Sequence, residues 1–174
     1  MKDSVKLQNV SYWTTNRGVA IKTCFFIGHR DAPDGLLPAL IDEVERHVTE
    51  YGVEEFVVGR YGGFDALASK AVKTVRERHP EVLLTCLLPY HPGERPIKLP
   101  DHFDGSYYPP LQGVPRRLAI VRANQYMVDH SDFLIAYAWH PASNSRELVE
   151  YARKREQRGL IRVTLLEKGK VTTS

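Results

Sequence analysis

Short apolar runs alternate along the chain with longer segments of helical spacing. The runs that predict strands are KTCFFIG, EEFVVG, EVLLTCLLP, DFLIAYAW and LIRVTLL. The segments between them repeat apolar side chains every three or four positions, as in the helix predicted over Leu36 to Gly52. A strand covered on both faces is apolar along its whole length, so the runs indicate a parallel sheet between two helical layers. The predicted fold is α/β, a three-layer Rossmann-like sandwich with a mainly parallel five-stranded sheet.

The alternation begins at residue 22, which divides the chain into two parts. Residues 1–21 show no period, and we interpret them as an N-terminal extension. Residues 22–174 are predicted to form a single domain, because 174 residues suffice for one core but not for two ordinary domains. Residues 90–115 form an unusually long loop, rich in Pro, His, Tyr and Gly. Its aromatic side chains could form a pocket wall, a subunit contact or a lid on the domain itself.

Composition narrows the class of protein. A hydrophobic content of 43% and a charged content of 26% are typical of a globular domain. The net charge of +3 is too small to argue for nucleic acid. No apolar run reaches the roughly 20 residues that cross a bilayer, and the first residues lack a signal-type stretch. We therefore expect a cytoplasmic protein without a membrane partner, in which Cys24 and Cys86 are reduced core thiols.

The loop after the first predicted strand carries the first candidate ligand groups. In parallel sheets, ligands bind beyond the carboxyl ends of the strands, where the strand order reverses. Gly28 allows a tight turn there, and His29 and Arg30 offer nitrogen donors. Arginine suits bidentate binding of a phosphate or carboxylate. The alternative is a surface loop in which Arg30 pairs with Asp31 or Asp34.

The loop after the second predicted strand, VVGRYGGFD, is rich in glycine. Its candidate ligand-binding residues are Gly59, Arg60, Tyr61, Gly62, Gly63 and Asp65. Glycines at the start of a helix let backbone N–H groups approach an anion, so a side chain at Gly63 should obstruct the ligand more than the fold. The spacing is neither that of a dinucleotide fingerprint nor that of a P-loop. The alternative is a tight turn in which Asp65 caps the following helix.

The loop after the fourth predicted strand, HPASNSRE, is a third candidate. Ser143, Asn144 and Ser145 lead into a helix, where hydroxyls and free amides could hold a phosphate. The alternative is an ordinary N-cap, with Glu147 completing a capping box. The histidines lack the spacing of a metal site and no nucleophile signature is present, so we predict neither a metal nor a resident cofactor.

Three stretches of the chain resemble the YpsA-like branch of the SLOG superfamily, a Rossmann-like group related to the DprA and LOG proteins. The stretches are CFFIGHR, VVGRYGGFDALASKAV and YPPLQGVPRRLAIVRANQYMVDHSDFLIAY, and the likeness spans residues 22–166. The resemblance implies a pocket for a nucleotide or nucleotide-derived ligand, with ADP-ribose-like compounds among the candidates. It supports the following residues: Gly28, His29, Arg30, Gly59, Gly63, Asp65, Asn124 and Asp132. Relatives tend to have a basic residue directly before the Asn. Here Arg122 stands two places before Asn124, and we include both as candidate ligand-binding residues. Relatives also often have Gly-Gly-Ala where this chain has residues 142–145.

Two function classes follow. The favoured one is a domain that binds or senses a nucleotide-type ligand without chemistry of its own. The alternative is a LOG-like nucleoside-monophosphate phosphoribohydrolase, which needs a carboxylate to stabilise an oxocarbenium-like transition state. LOG proteins carry P-G-G-x-G-T-x-x-E, whereas this chain offers only Glu147 and Glu150 near the matching offset. Single-stranded DNA binding of the DprA kind would need a more basic face, so we do not expect nucleic acid as a partner, and a homo-oligomer stays open.

Overall fold

The computed structural model describes residues 21–168, and the predicted N-terminal extension lies outside this range apart from residue 21. The strands are β1 (Thr23–Gly28), β2 (Glu55–Val58), β3 (Leu83–Leu87), β4 (Gly105–Tyr107), β5 (Phe133–Tyr137) and β6 (Arg162–Leu165). The helices are α1 (Leu37–Thr49), α2 (Gly63–Arg76), α3 (Ala119–His130) and α4 (Asn144–Gln157). Short 3₁₀ turns over Asp34–Leu36 and Arg116–Leu118 lead into α1 and α3.

The sheet confirms the predicted α/β class. Its strand order is β4-β3-β2-β1-β5-β6, and every neighbouring pair is parallel. It has six strands, so the prediction of five was one short. The additional strand β4 is only three residues long, too short and too polar to give a strand pattern. It pairs with β3 and is anchored by Asp104, whose carboxylate accepts the Leu84 N–H at 2.7 Å.

The two faces of the sheet are covered by different pairs of helices. Alternate residues of a strand point to opposite faces, so Phe26 packs with α1 and α2 while Phe25 packs with α3 and α4. Phe64 of α2 and Met127 of α3 are fully buried in these two clusters. Cys24 and Cys86 are buried free thiols, as predicted. Burial raises the pKa of the Cys86 thiol to about 12, so it stays protonated and unreactive at neutral pH.

The strand order reverses between β1 and β5, and this creates a crevice. The chain leaves β1 toward α1 on one face and leaves β5 toward α4 on the other. Loops that diverge from adjacent strand ends leave a space between them, where ligands of doubly wound folds bind. In the described part of the chain, no helix is long and apolar enough to cross a membrane.

Candidate functional site

A cleft of about 260 Å³ opens at this crevice, at the carboxyl ends of the strands. The loops after β1, β2 and β5 meet there, and α3 and α4 supply side chains from the face opposite α1 and α2. The predicted site residues that line it are Gly28, His29, Arg30, Gly59, Tyr61, Asp65, Asn124 and Ser145. Arg60, Gly62, Gly63, Arg122 and Ser143 do not line it. The structure therefore brings together members of all three candidate loops.

Gly62 and Gly63 are packing residues of the β2–α2 loop. A Cβ atom on Gly62 would lie 2.8 Å from the Arg30 Cα atom, and one on Gly63 would lie 2.7 Å from the Arg30 carbonyl oxygen. The Gly63 and Phe64 N–H groups donate to the carbonyls of Arg30 and His29 at 2.9 and 3.3 Å. These N–H groups are thus already used within the protein. A side chain at Gly63 would displace the Arg30 loop, which corrects the expectation that it would obstruct a ligand and spare the fold.

Asp65 holds the β2–α2 loop in shape and lines the cleft. Its Oδ2 atom accepts the Tyr61 N–H at 3.0 Å, and a Cβ atom on Gly59 would lie 2.8 Å from the same oxygen. Burial raises the Asp65 pKa from its ordinary value of 3.8 to about 6, and the bond from Tyr61 only partly opposes this. Asp65 is the only carboxyl-bearing residue among the described residues that line the cleft. It is therefore a hydrogen-bond acceptor of high basicity, placed beside any bound ligand.

The start of α4 has backbone N–H groups without a partner in the helix, whereas the first two N–H groups of α2 are bonded to the carbonyls of Arg30 and His29. Ser143 is the N-cap, and its Oγ atom accepts the Arg146 N–H at 3.1 Å. The first N–H groups of a helix have no partner within the helix, and here they belong to Asn144 and Ser145, which both line the cleft. The preceding Ala142 has a φ of +58°, a left-handed conformation that is costly for a residue with a Cβ atom. The strained turn sets the start of α4 at the cleft.

His29 joins the β1 and β5 loops from a buried position. Its Nε2 atom accepts the Trp139 N–H at 2.6 Å and the His140 N–H at 3.1 Å, and the His29 backbone N–H donates to the Tyr137 carbonyl. Burial lowers the His29 pKa, so the ring is neutral at pH 7. An Nε2 atom that accepts two N–H groups cannot donate to an anion. The structure therefore gives His29 a bridging role across the crevice and leaves Nδ1 as the only ring nitrogen that can donate.

Arg30 is exposed at the mouth of the cleft. Neither proposed partner holds it, since Asp31 approaches His140 instead, at 3.4 Å. The Arg30 guanidinium has no hydrogen bond or ion pair to any other residue of the described range. It is therefore a free cation beside the open start of α4.

Sequence reasoning missed the apolar wall of the cleft. Its members are Leu87, Pro89, Ile120, Val121 and Leu148. Helical spacing predicts that Val121 of α3 faces inward. The spacing does not distinguish a side chain that faces a cleft from one that is packed in the core. Glu147 and Glu150 do not line the cleft, and Glu150 pairs with Arg146 at 3.3 Å. Residues 21–168 contain no cluster of three or more His, Cys, Asp or Glu side chains that could hold a metal ion.

Comparisons with known proteins identify the fold. No protein-family model and no curated protein sequence matches the chain. DNA processing protein A from Streptococcus pneumoniae is similar in structure, with a TM-score of 0.62 and 14% identity, over 87% of this chain and 52% of that one. DNA processing protein A from Helicobacter pylori is also similar, with a TM-score of 0.56 and 18% identity, over 84% of this chain and 66% of that one. The chain thus has a DprA-like Rossmann fold and spans between half and two thirds of these proteins, while the YpsA-like assignment stays a prediction.

The same likeness corrects the expectation about nucleic acid. The Helicobacter pylori structure describes the single-stranded DNA binding mode of DNA processing protein A. A protein of the same fold therefore binds single-stranded DNA. The prediction that a nucleic-acid partner is unlikely was therefore wrong as an exclusion, because a modest net charge does not reveal how cations are distributed around a site.

Proposed function

We propose that this protein binds a nucleotide or nucleotide-derived ligand, of which ADP-ribose is an example, in the cleft between β1 and β5. The observation that carries the proposal is the convergence of three loops on one cleft where free donors and a free cation meet. A cleft of about 260 Å³ lies slightly below the usual range for small-molecule sites, which suits a group no larger than a mononucleotide.

The start of α4 and Arg30 would hold the phosphate. The Asn144 and Ser145 N–H groups lie at the positive end of a helix of 14 residues, where an anion is stabilised. Arg30 adds charge-assisted hydrogen bonds from the other side of the crevice. This assigns the phosphate to the third candidate loop rather than to the glycine turn after β2.

Asp65 and Asn124 would bind the polar groups of the sugar or base. A carboxylate accepts hydrogen bonds from ribose hydroxyls, and an amide both donates and accepts. The apolar wall of Leu87, Val121 and Leu148 provides the surface against which a base can pack. We infer a binding protein rather than a phosphoribohydrolase, because Glu147 and Glu150, the carboxylates near the offset of the LOG motif, lie outside the cleft, and the cleft carboxylate of Asp65 already accepts the Tyr61 N–H.

Calorimetric titration of the protein with AMP and with ADP-ribose tests the proposal. Arg30→Ala should weaken binding of both compounds about 10- to 150-fold, from the loss of roughly 1.5–3 kcal/mol of charge-assisted hydrogen bonding. Arg158→Ala is the matched control, because Arg158 is an exposed arginine at the other end of α4. Binding of neither compound, or equal binding by a folded Arg30→Ala protein, would overturn the proposal.

Single-stranded DNA binding is a second candidate function. Three exposed side chains at the mouth of the cleft favour it, namely those of Arg30, Arg60 and Tyr61. The exposed fraction of Tyr61 is 39%. Cations and an exposed aromatic ring are the elements that bind a single strand, through phosphate contacts and base stacking. Fluorescence anisotropy of a labelled oligothymidylate at two salt concentrations tests this. Salt-sensitive binding that Tyr61→Ala and Arg60→Ala both weaken would support it, and no binding at low salt would exclude it.

A further inference from the structure

A second cleft, of about 810 Å³, adjoins the first. Pro89 lines both, and the neighbouring residues Ala119 and Ile120 at the start of α3 line one each. The walls of the second cleft come from the long segment 90–115 and the turn before α3. They include Tyr90, Glu94, Tyr108, Leu111, Gln112 and Arg116. The two clefts therefore adjoin at Pro89, two residues after β3.

The aromatic residues of the long segment divide into two groups. Phe103 and Tyr107 are buried in the two hydrophobic cores, with exposed fractions of 6% and 8%. Tyr90 and Tyr108 are half-buried and line the second cleft. The segment is thus anchored on its own domain by one pair of rings, while the other pair lines the second cleft.

The two presented rings are held in place by neighbours. The Arg95 guanidinium carbon lies 4.3 Å from the centre of the Tyr90 ring, in cation–π contact. The His91 ring meets the Tyr108 ring edge to face, with the centres 5.4 Å apart. Tyr108 also packs against both hydrophobic clusters. Rings that are already ordered lose little entropy when a flat group stacks on them.

The polar groups of the second cleft lie at its rim. Glu94, Gln112 and Arg116 are exposed, and none of their side chains has a hydrogen-bond partner within residues 21–168. Leu111 and Ala119 are buried beneath them. Tyrosine rings over a buried apolar base, with unpaired polar groups at the edge, form a surface on which a planar heterocycle can stack.

We propose that the second cleft binds a second aromatic ring of the ligand whose phosphate end occupies the first. This inference rests on the proposed function and names the ligand class, a dinucleotide in which two nucleosides are joined through phosphates. The linking phosphates would pass Pro89, with Arg30 on one side and Arg116 on the other. A mononucleotide fills only the first cleft and leaves the Tyr90 and Tyr108 rings uncovered.

Affinities for AMP, ADP-ribose and diadenosine diphosphate test this proposal. AMP has one nucleoside and one phosphate. ADP-ribose adds a second phosphate and a ribose without a base, and diadenosine diphosphate adds a second phosphate and a complete second nucleoside. Diadenosine diphosphate should bind most tightly. Tyr90→Leu, which keeps apolar bulk but removes the ring, should weaken its binding about 5- to 150-fold, the range for loss of one base–aromatic stack. The same variant should leave AMP binding unchanged, and Tyr90→Phe should restore the affinity for diadenosine diphosphate.

The outcomes separate this inference from the proposed function. If AMP binds but diadenosine diphosphate binds no more tightly, the two-ring proposal fails and the nucleotide site stands. If Tyr90→Leu weakens AMP and diadenosine diphosphate equally, Tyr90 acts on the first cleft and the proposal also fails. If Arg30→Ala binds all three compounds at full strength, the proposed function itself is wrong. A thermal unfolding curve for each variant checks that the protein is folded.

Discussion

Replacing Asp65 with asparagine should make the free protein more stable at neutral pH. Asn has nearly the same size and keeps an oxygen for the Tyr61 N–H, but it carries no charge. The cause lies in the buried position of the carboxyl group, whose pKa is about 6 against an ordinary value of 3.8. A raised pKa means that burial destabilises the ionised form, and at pH 7 the folded protein carries that cost.

The size of the effect follows from the two pKa values. The difference between 3.8 and about 6 corresponds to roughly 3 kcal/mol in the free energy of unfolding, at about 1.36 kcal/mol per pH unit. The amide oxygen accepts the Tyr61 N–H less strongly than a carboxylate does, which offsets about 1 kcal/mol. We therefore expect Asp65→Asn to raise the free energy of unfolding by about 2 kcal/mol above pH 7.

The stability advantage of Asp65→Asn should depend on pH. Below about pH 4, Asp65 is protonated in both the folded and the unfolded protein, so the variant has no advantage. Between about pH 4 and pH 6 only the unfolded state has lost the proton, so stability of the natural protein falls as pH rises. The advantage of the variant should grow over this window and become constant above it.

Urea unfolding from pH 4 to pH 8 measures the effect. Asp132→Asn is the matched control, because the exposed Asp132 also accepts a backbone N–H, that of Thr23 at 3.0 Å, but at the opposite end of the sheet. The control should show no such gain. A pH-independent difference, or an Asp65→Asn protein less stable than the natural one at pH 8, would refute the reasoning. If Asp65→Asn is more stable but binds AMP more weakly, the Asp65 carboxylate contributes to ligand binding at a cost in stability.

Two further predictions concern backbone positions around the cleft. Gly28→Ala should lower the free energy of unfolding in urea by more than about 3 kcal/mol, because the added Cβ atom would lie 2.1 Å from the buried Phe64 ring. Gly105→Ala is the control and should have little effect, because a Cβ atom at Gly105 would have no neighbour within 4 Å. Ala142→Gly should raise the thermal midpoint by relieving the left-handed strain of about 1–2 kcal/mol, and an unchanged or lower midpoint would show that the turn is not strained.

The fold and the meeting of the candidate loops at one edge of the sheet were predictable because both depend on local sequence. An apolar run such as that of β1 must be covered on both faces, and its alternation with helical segments leaves few topologies. The candidate loops are recognisable because they follow these strands. The predicted sheet lacked β4, since three polar-flanked residues form a strand only when β3 and Asp104 pair with them. That pairing is a tertiary contact with no local signal.

The roles of individual residues were decided by the tertiary structure. The sequence by itself determined that glycines stand at the start of α2 and that hydroxyls stand at the start of α4. It could not determine which helix start is free, because that depends on whether the carbonyls of His29 and Arg30 lie within reach of the α2 N–H groups. The same holds for Asp65, whose pKa rises through burial by residues distant in sequence. Hydrogen-bond occupancy and desolvation are properties of neighbours in space, and only the folded chain brings those neighbours together.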